Sequence, residues 1–154
     1  MIEPINIRDE AVAERIVEIQ VAAYAVEAEL MGFDGIPQLH ETVPDARSRT
    51  DLSWFGAYEG GTIIGAIAWR EQPGLIDIDR LVIAPSHARR GYGRNLVEAL
   101  GRTTRITVST GAANAPARAL YESLGFELTG TSEIAPSVRV VHYEKPGDPT
   151  TASS

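Results

Sequence analysis

The sequence contains no cysteine, so it can hold no disulfide, no thiolate metal site and no cysteine nucleophile. Its three histidines, His40, His87 and His142, are scattered and form no H-E-x-x-H pair, so no metal is expected. Neither a G-x-S-x-G elbow nor a G-x-x-x-x-G-K-[ST] loop occurs, which argues against a serine hydrolase and a P-loop nucleoside triphosphatase. No apolar run approaches the roughly 20 residues of a membrane span. The opening MIEPINIRDE also lacks the charged and apolar regions of a signal peptide. A cytoplasmic protein with no membrane partner is therefore expected. Positive charge is scarce too: 14 Lys and Arg stand against 21 Asp and Glu, a formal net charge of −7. Phosphate contacts dominate nucleic-acid affinity, so no nucleic-acid partner is expected.

What is present suits one globular domain of 154 residues, 44% hydrophobic and 23% charged. Residues 1–145 read as that domain and 146–154, PGDPTTASS, as a solvated tail. After Asp9, the residues Val12, Ile16, Ile19, Ala23, Val26 and Leu30 recur every three or four positions, the spacing of an amphipathic helix. MGFDGIP stops it, and a short helix is expected around Pro44 to Thr50. WFGAYEGGTIIGAIAW predicts a hairpin about Glu59-Gly60-Gly61, and LIDIDRLVI, residues 75–83, a further strand. A helix over about Gly91 to Leu100, the strand RITVST, a helix from Asn114 to Leu124, and the strands FELTG and VRVVHYE complete the chain. A hairpin followed by β-α-β-α-β-β predicts an α/β protein, a mixed sheet flanked by helices.

Within this acidic chain, residues 80–105 hold six arginines against one acid, Glu98. The stretch RRGYGRNL, residues 89–96, lies at the start of a helical pattern. Backbone N–H groups are unpaired there and the helix dipole is positive, so the place favours phosphate. Gly91 and Gly93 permit close approach and unusual dihedrals, and Arg89, Arg90 and Arg94 add charge-assisted bonds. A dinucleotide fingerprint would need glycine where Leu96 stands. The bland alternative is a helix start with solvated arginines. In NAPARALYESLGFE, residues 114–127, Asn114 suits a helix N-cap, Pro116 the first turn and Gly125 the C-terminal stop. Tyr121 follows Asn114 by two turns, on nearly the same face and about 10 Å along the axis. Such an amide and phenol could flank a thin extended ligand, or the tyrosine could simply be core.

Together these segments resemble the GNAT superfamily of N-acetyltransferases, from about Ile7 to Lys145. LVIAP, SHARRGYGR and the following helix are similar to its acetyl-CoA signature, and NAPARALYESLGF to its second motif. The resemblance implies a central, mostly antiparallel twisted sheet with helices on both faces, and acetyl-CoA as cosubstrate. It puts pyrophosphate on the amides of Arg89, Arg90, Gly91, Tyr92, Gly93 and Arg94, and a pantetheine arm against the backbone of Leu81, Val82 and Ile83. It also implies that Asn114 bonds that arm and that Tyr121 donates to the departing thiolate. One position departs from the pattern: Ala88 stands where glutamine or arginine is usual, which removes a side-chain contact. The absence of cysteine fits direct attack by an amine in a ternary complex.

Strand alternation predicts that Asp77, Asp79, Leu81 and Ile83 share one face. The resemblance makes Asp77 the positional counterpart of a catalytic glutamate in histone-type members, with Asp79 beside it. Glu71 and His142 are weaker candidate bases. Glu27, Glu29, Asp34 and Glu41 make the segment expected to wall the acceptor site acidic, a hint of a cationic acceptor. The expected partner is a small-molecule or peptide amine, and the expected assembly a monomer or homodimer. The alternatives are a non-catalytic acetyl-CoA-binding module and, less compatible with the net charge, acetylation of charged tRNA.

Overall fold

The computed structural model describes residues 1–148. In chain order its elements are β1 (Ile2–Pro4), α1 (Glu10–Met31), a 3-10 turn (Pro37–His40), α2 (Val43–Arg47), β2 (Ser53–Glu59), β3 (Thr62–Gln72) and β4 (Leu75–Ile83). A second 3-10 turn (Pro85–His87), α3 (Tyr92–Glu98), β5 (Arg105–Gly111), α4 (Ala115–Ser123), β6 (Glu127–Ala135) and β7 (Val138–Lys145) follow. The strands form one sheet in the order β1-β2-β3-β4-β5-β7-β6. Only the β4–β5 pair is parallel, so the sheet is mixed and mostly antiparallel, as expected. The chain stays on this body as far as Asp148, whose N–H donates to Arg102 O at 2.7 Å. The tail expected from Pro146 lies outside the described residues from Pro149 onward.

Each face of the sheet carries its own core. Ile16 and Ile19 of α1 and Ala46 of α2 pack with Ala66, Ala68 and Val82 on one face. Leu96 and Val97 of α3 and Tyr121 of α4 pack with Ile67, Trp69, Ile78 and Val108 on the other. Fully burying an aliphatic side chain contributes roughly 1.5–3 kcal/mol, so two such layers hold the sheet between helices. The side chain of Asp9 caps α1 by accepting from Val12 N–H at 3.0 Å, and Gly32 closes it in the left-handed conformation. The inward stripe of α1 differs from the expected one in its last turns. Tyr24 and Ala28 are buried, whereas Val26 and Leu30 are 49% and 45% exposed. Both exposed residues line a groove beside β4. No helix among the described residues is long and apolar enough to cross a membrane.

Two irregularities of β4 shape the site. Its parallel pairing covers only Leu75–Ile78 against Arg105–Val108, although β4 runs on to Ile83 and β5 to Gly111. Beyond Ile78 the two strands leave a gap. Against β3, Trp69 is opposite Ile78 and Ala68 is opposite Arg80, so Asp79 is an extra, bulged residue. The bulge overturns the expected alternation. Leu81 and Ile83 join Ile76 and Ile78 on the α3–α4 side, while Arg80 is buried against Gln20 of α1. Asp77, opposite Arg70, therefore does not share a face with Leu81 and Ile83.

Candidate active site

After β4 the chain enters the glycine loop. Arg89 and Gly91 take left-handed φ values of 64° and 84°, and glycine at 91 adopts that geometry without the penalty a Cβ would bring. The first helical bond of α3 runs from Asn95 N–H to Gly91 O at 3.0 Å. The N–H groups of residues 89–94 consequently have no backbone acceptor among the described residues. Gly93 has a different reason to be glycine from the one expected. It lies inside α3, and a Cβ there would stand 3.3 Å from Leu120 Cδ2 of α4, so a side chain at this position would press on Leu120.

Side chains tether this loop at both ends. The Tyr92 hydroxyl donates to the Glu59 carboxylate at the β2–β3 hairpin, with His87 Nε2 at 3.4 Å and Arg90 Nη1 at 3.9 Å from the same carboxylate. The Tyr92 hydrogen bond, seconded by His87 and Arg90, holds the Glu59 carboxyl below its usual range. Arg94 donates to Ser123 Oγ of α4 at 2.7 Å. Among the three loop arginines, Arg89 has no side-chain partner among the described residues.

A groove of about 570 Å³ runs from this loop between α1 and β4. Val26 and Leu30 form one wall and Leu81 and Ile83 the other. Ala84 N–H donates to Ile64 O at 2.8 Å, so alternation turns the N–H and C=O of Leu81 and Ile83 away from β3, into the gap. The strand thus offers an unpaired edge where an extended amide chain can add. Val82, paired opposite Ala66, points its backbone groups the other way.

The groove opens into a second cavity of about 240 Å³ between the diverging ends of β4 and β5. Tyr24, Glu27, Leu81, Asn114 and Ala117 line both spaces. Asn114 caps α4 as expected. Its Oδ1 accepts from Ala117 N–H at 3.2 Å as the cap of α4, which leaves the Nδ2 protons for a ligand. Tyr121 is 3% exposed and packs against Phe126 and Tyr143, at ring separations of 5.3 and 6.2 Å. Its hydroxyl reaches the smaller cavity with no partner among the described residues. Burial, reinforced by the charge of Glu27, raises its pKa far above that of a free phenol. Tyr121 therefore holds its proton at any working pH.

The candidate bases are sorted by the same geometry. Asp79 lines the small cavity, but its oxygens are held by Arg80 Nε at 2.7 Å and Arg70 Nη2 at 3.0 Å, with Arg49 at 3.8 Å. Asp77 lines neither cavity; it accepts from Thr107 Oγ1 at 2.8 Å. Glu71 accepts from Trp69 Nε1 at 3.0 Å, and both ring nitrogens of His142 meet serine hydroxyls, Ser109 and Ser132. Two residues face the cavity from α1: Tyr24, which sequence reasoning did not single out, and Glu27, expected only as part of an acidic acceptor wall. With Met31 they follow an i, i+3, i+7 spacing. The neighbouring apolar series Ala23, Val26 and Leu30 has the same period and masked it.

Comparison with known proteins fits this arrangement. The family model described as Acetyltransferase (GNAT) family matches residues 14–126. The chain is 34% identical over 139 residues to the UPF0157 protein YqkA of Bacillus subtilis (strain 168), with 88% of this chain and 40% of that protein covered. It therefore spans well under half the length of this curated relative. Among solved structures, the ribosomal-protein-S18-alanine N-acetyltransferase of Escherichia coli matches with a TM-score of 0.76 and 18% identity, covering 98% of this chain and 96% of that one. The PaiA N-acetyltransferase of Thermoplasma acidophilum, solved in complex with coenzyme A, matches with a TM-score of 0.65 and 16% identity, over 92% and 96% of the two chains. A loop of unpaired amides and a free strand edge line the groove, a buried phenol lines the cavity that shares its wall, and the family match covers all three: the chain belongs to the acetyltransferase (GNAT) family.

Proposed function

We propose that the protein moves an acetyl group from acetyl-CoA to a primary amine, on a small molecule or a peptide, by direct attack in a ternary complex. One observation carries this reading: the groove along the free edge of β4 shares Tyr24, Glu27, Leu81, Asn114 and Ala117 with the cavity that Tyr121 faces. The unpaired amides of residues 89–94, with Arg89 beside them, suit a pyrophosphate. Leu81 and Ile83 suit the amides of a pantetheine arm, with the Asn114 Nδ2 group as a further donor. The cosubstrate supplies an activated acyl carbon with a thiolate leaving group. Tyr121 then stabilises charge developing on the sulfur by donating its hydrogen bond, and the apolar groove keeps water from the thioester. The acceptor enters from the other side, between α1 and the β4–β5 gap. The S18-alanine enzyme shares the fold, which makes a peptide α-amine one acceptor class to test.

Release of CoA from acetyl-CoA in the presence of a mixed panel of primary amines and amino-terminal peptides tests the activity. Binding without turnover on any acceptor would favour a non-catalytic acetyl-CoA module. The cosubstrate half has its own test. Gly91→Val forces a β-branched residue into left-handed geometry at the phosphate loop, and should weaken acetyl-CoA binding at least tenfold, about 1.4 kcal/mol, by calorimetric titration. Unchanged affinity in a folded variant would remove the phosphate assignment from this loop.

A further inference from the structure

We propose that Glu27 of α1, rather than either aspartate of β4, collects the proton of the acceptor amine and passes it to Tyr121. The inference rests on the acetyl-transfer reading and concerns the acceptor side of the same site. Glu27 lies where the two cavities join, the place a reacting amine must share with a thioester. Its Oε1 has only long contacts, 3.4 Å to Gly111 N–H and 3.5 Å to Thr110 Oγ1 of β5. Its Oε2 has no partner among the described residues. Asp79, the other carboxylate of the small cavity, is engaged by guanidinium groups on both oxygens. A base needs an accessible lone pair within hydrogen-bond reach of the proton it takes, and Glu27 is the cavity carboxylate that offers one.

The groups that face Glu27 complete the argument. Tyr24 lies on its own helix, Tyr121 on α4, and Asp79 and Arg80 on β4, while β5 presents only the neutral Thr110 and Gly111. Its negative charge contributes to the raised pKa of both phenols, so Tyr24 and Tyr121 remain neutral donors close to an ionised carboxylate. An acceptor arriving as an ammonium has two protons to lose. Glu27 takes the first and frees the lone pair. The N–C bond then forms, the C–S bond breaks with its electron pair going to sulfur, and sulfur receives the phenol proton of Tyr121. The proton on Glu27 passes to the Tyr121 phenolate, and Glu27, ionised again, takes the second proton from nitrogen and releases it to solvent. The site ends as it began, with one proton on the thiol and one in solution.

The test is Glu27→Gln, assayed by CoA release with Nα-acetyl-lysinamide and with a short peptide whose only amine is its α-amine, from about pH 6 to pH 10. Near pH 7 an amine of pKa about 10.4 is neutral in under one molecule per thousand, and an α-amine of pKa about 8 in roughly one of ten. The expected loss in kcat/KM is about a hundredfold for the lysine amine. It should be several times smaller for the α-amine, and both losses should shrink as the pH rises. Acetyl-CoA affinity should stay within about twofold, and formate should restore part of the activity of Glu27→Ala, which a merely structural role would not allow. An equal defect at every pH and on both amines, or none, would overturn the proposal. So would the graded defect appearing in Asp77→Asn or Asp79→Asn instead. A wild-type protein that binds acetyl-CoA yet acetylates neither these amines nor the wider panel would overturn the transferase reading itself, a result distinct from a silent Glu27→Gln.

Discussion

Tyr121→Phe is expected to lower kcat by about 10²–10⁴ while leaving acetyl-CoA affinity nearly unchanged. The ring is held by Phe126 and Tyr143 and remains as packing, so binding and stability should change little. What disappears is one O–H group at the wall of the small cavity. The raised pKa of the phenol makes outright proton loss to a thiolate unfavourable by itself. In the proposed reaction the hydroxyl acts first as a hydrogen-bond donor to developing charge, and yields its proton fully only when it can be refilled. Stopped-flow measurement of CoA release separates chemistry from product release in the variant. Wild-type turnover by Tyr121→Phe on a good acceptor would leave this ring as packing alone.

The largest stability effect is expected at Arg80. Its side chain is buried beneath α1, with Nη1 bonded to Gln20 Oε1 at 2.8 Å and Glu41 Oε1 at 2.7 Å, and Nε to Asp79 at 2.7 Å. The guanidinium carbon also stands 5.4 Å from the centre of the Trp54 ring. Arg80→Met keeps much of the stem and removes the charge. Glu41 and Asp79, each 10% exposed, then lose their closest cation. Removing one partner of a buried ion pair costs about 3–5 kcal/mol. Arg49 and Arg70 remain near the same carboxylates, which points to the lower end, about 3 kcal/mol. For a domain of this size that is a fall in Tm of roughly 6–12 °C. Urea melts should show it as a lower midpoint with an unchanged slope. A double-mutant cycle with Glu41→Gln should be non-additive, because the two groups touch. Additive losses would mean that the pair contributes only through packing.

The long periodic segments were legible in the sequence because local physics decides them. The 3.6-residue spacing of α1, the double-glycine hairpin and the cap, proline and glycine of α4 each agree with the final structure. The glycine loop before α3 and the helix that carries Asn114 and Tyr121 were legible too, since both depend on short-range spacing. β1 was not: three residues ending in proline carry no period, and tertiary pairing with β2 alone makes them a strand. Asp79 was misplaced for a related reason. A bulge is a relation between two strands, here set by the Trp69–Ile78 and Ala68–Arg80 register, and the sequence of β4 alone shows only uninterrupted alternation. Glu27 was read only as part of an acidic acceptor wall, because a carboxylate on an exposed helix face and one above a strand gap look the same in one dimension.

The single extra residue at Asp79 acts as a parity switch. In a pleated strand, side chains and backbone amides both alternate with period two, so inserting one residue exchanges inner for outer in everything that follows. Upstream of the bulge, β4 spends its unpaired side on β5; downstream, the same side is offered by Leu81 and Ile83 to whatever enters the gap. Losing the bulge, with residue 79 taking an ordinary strand position, would preserve the composition of the strand entirely, yet it would turn Arg80 into the α3–α4 core and Leu81 toward α1. It would also hand the open edge to Arg80 and Val82. The bulge at Asp79 thus sets which residues present the open edge, independent of which side chains the strand carries.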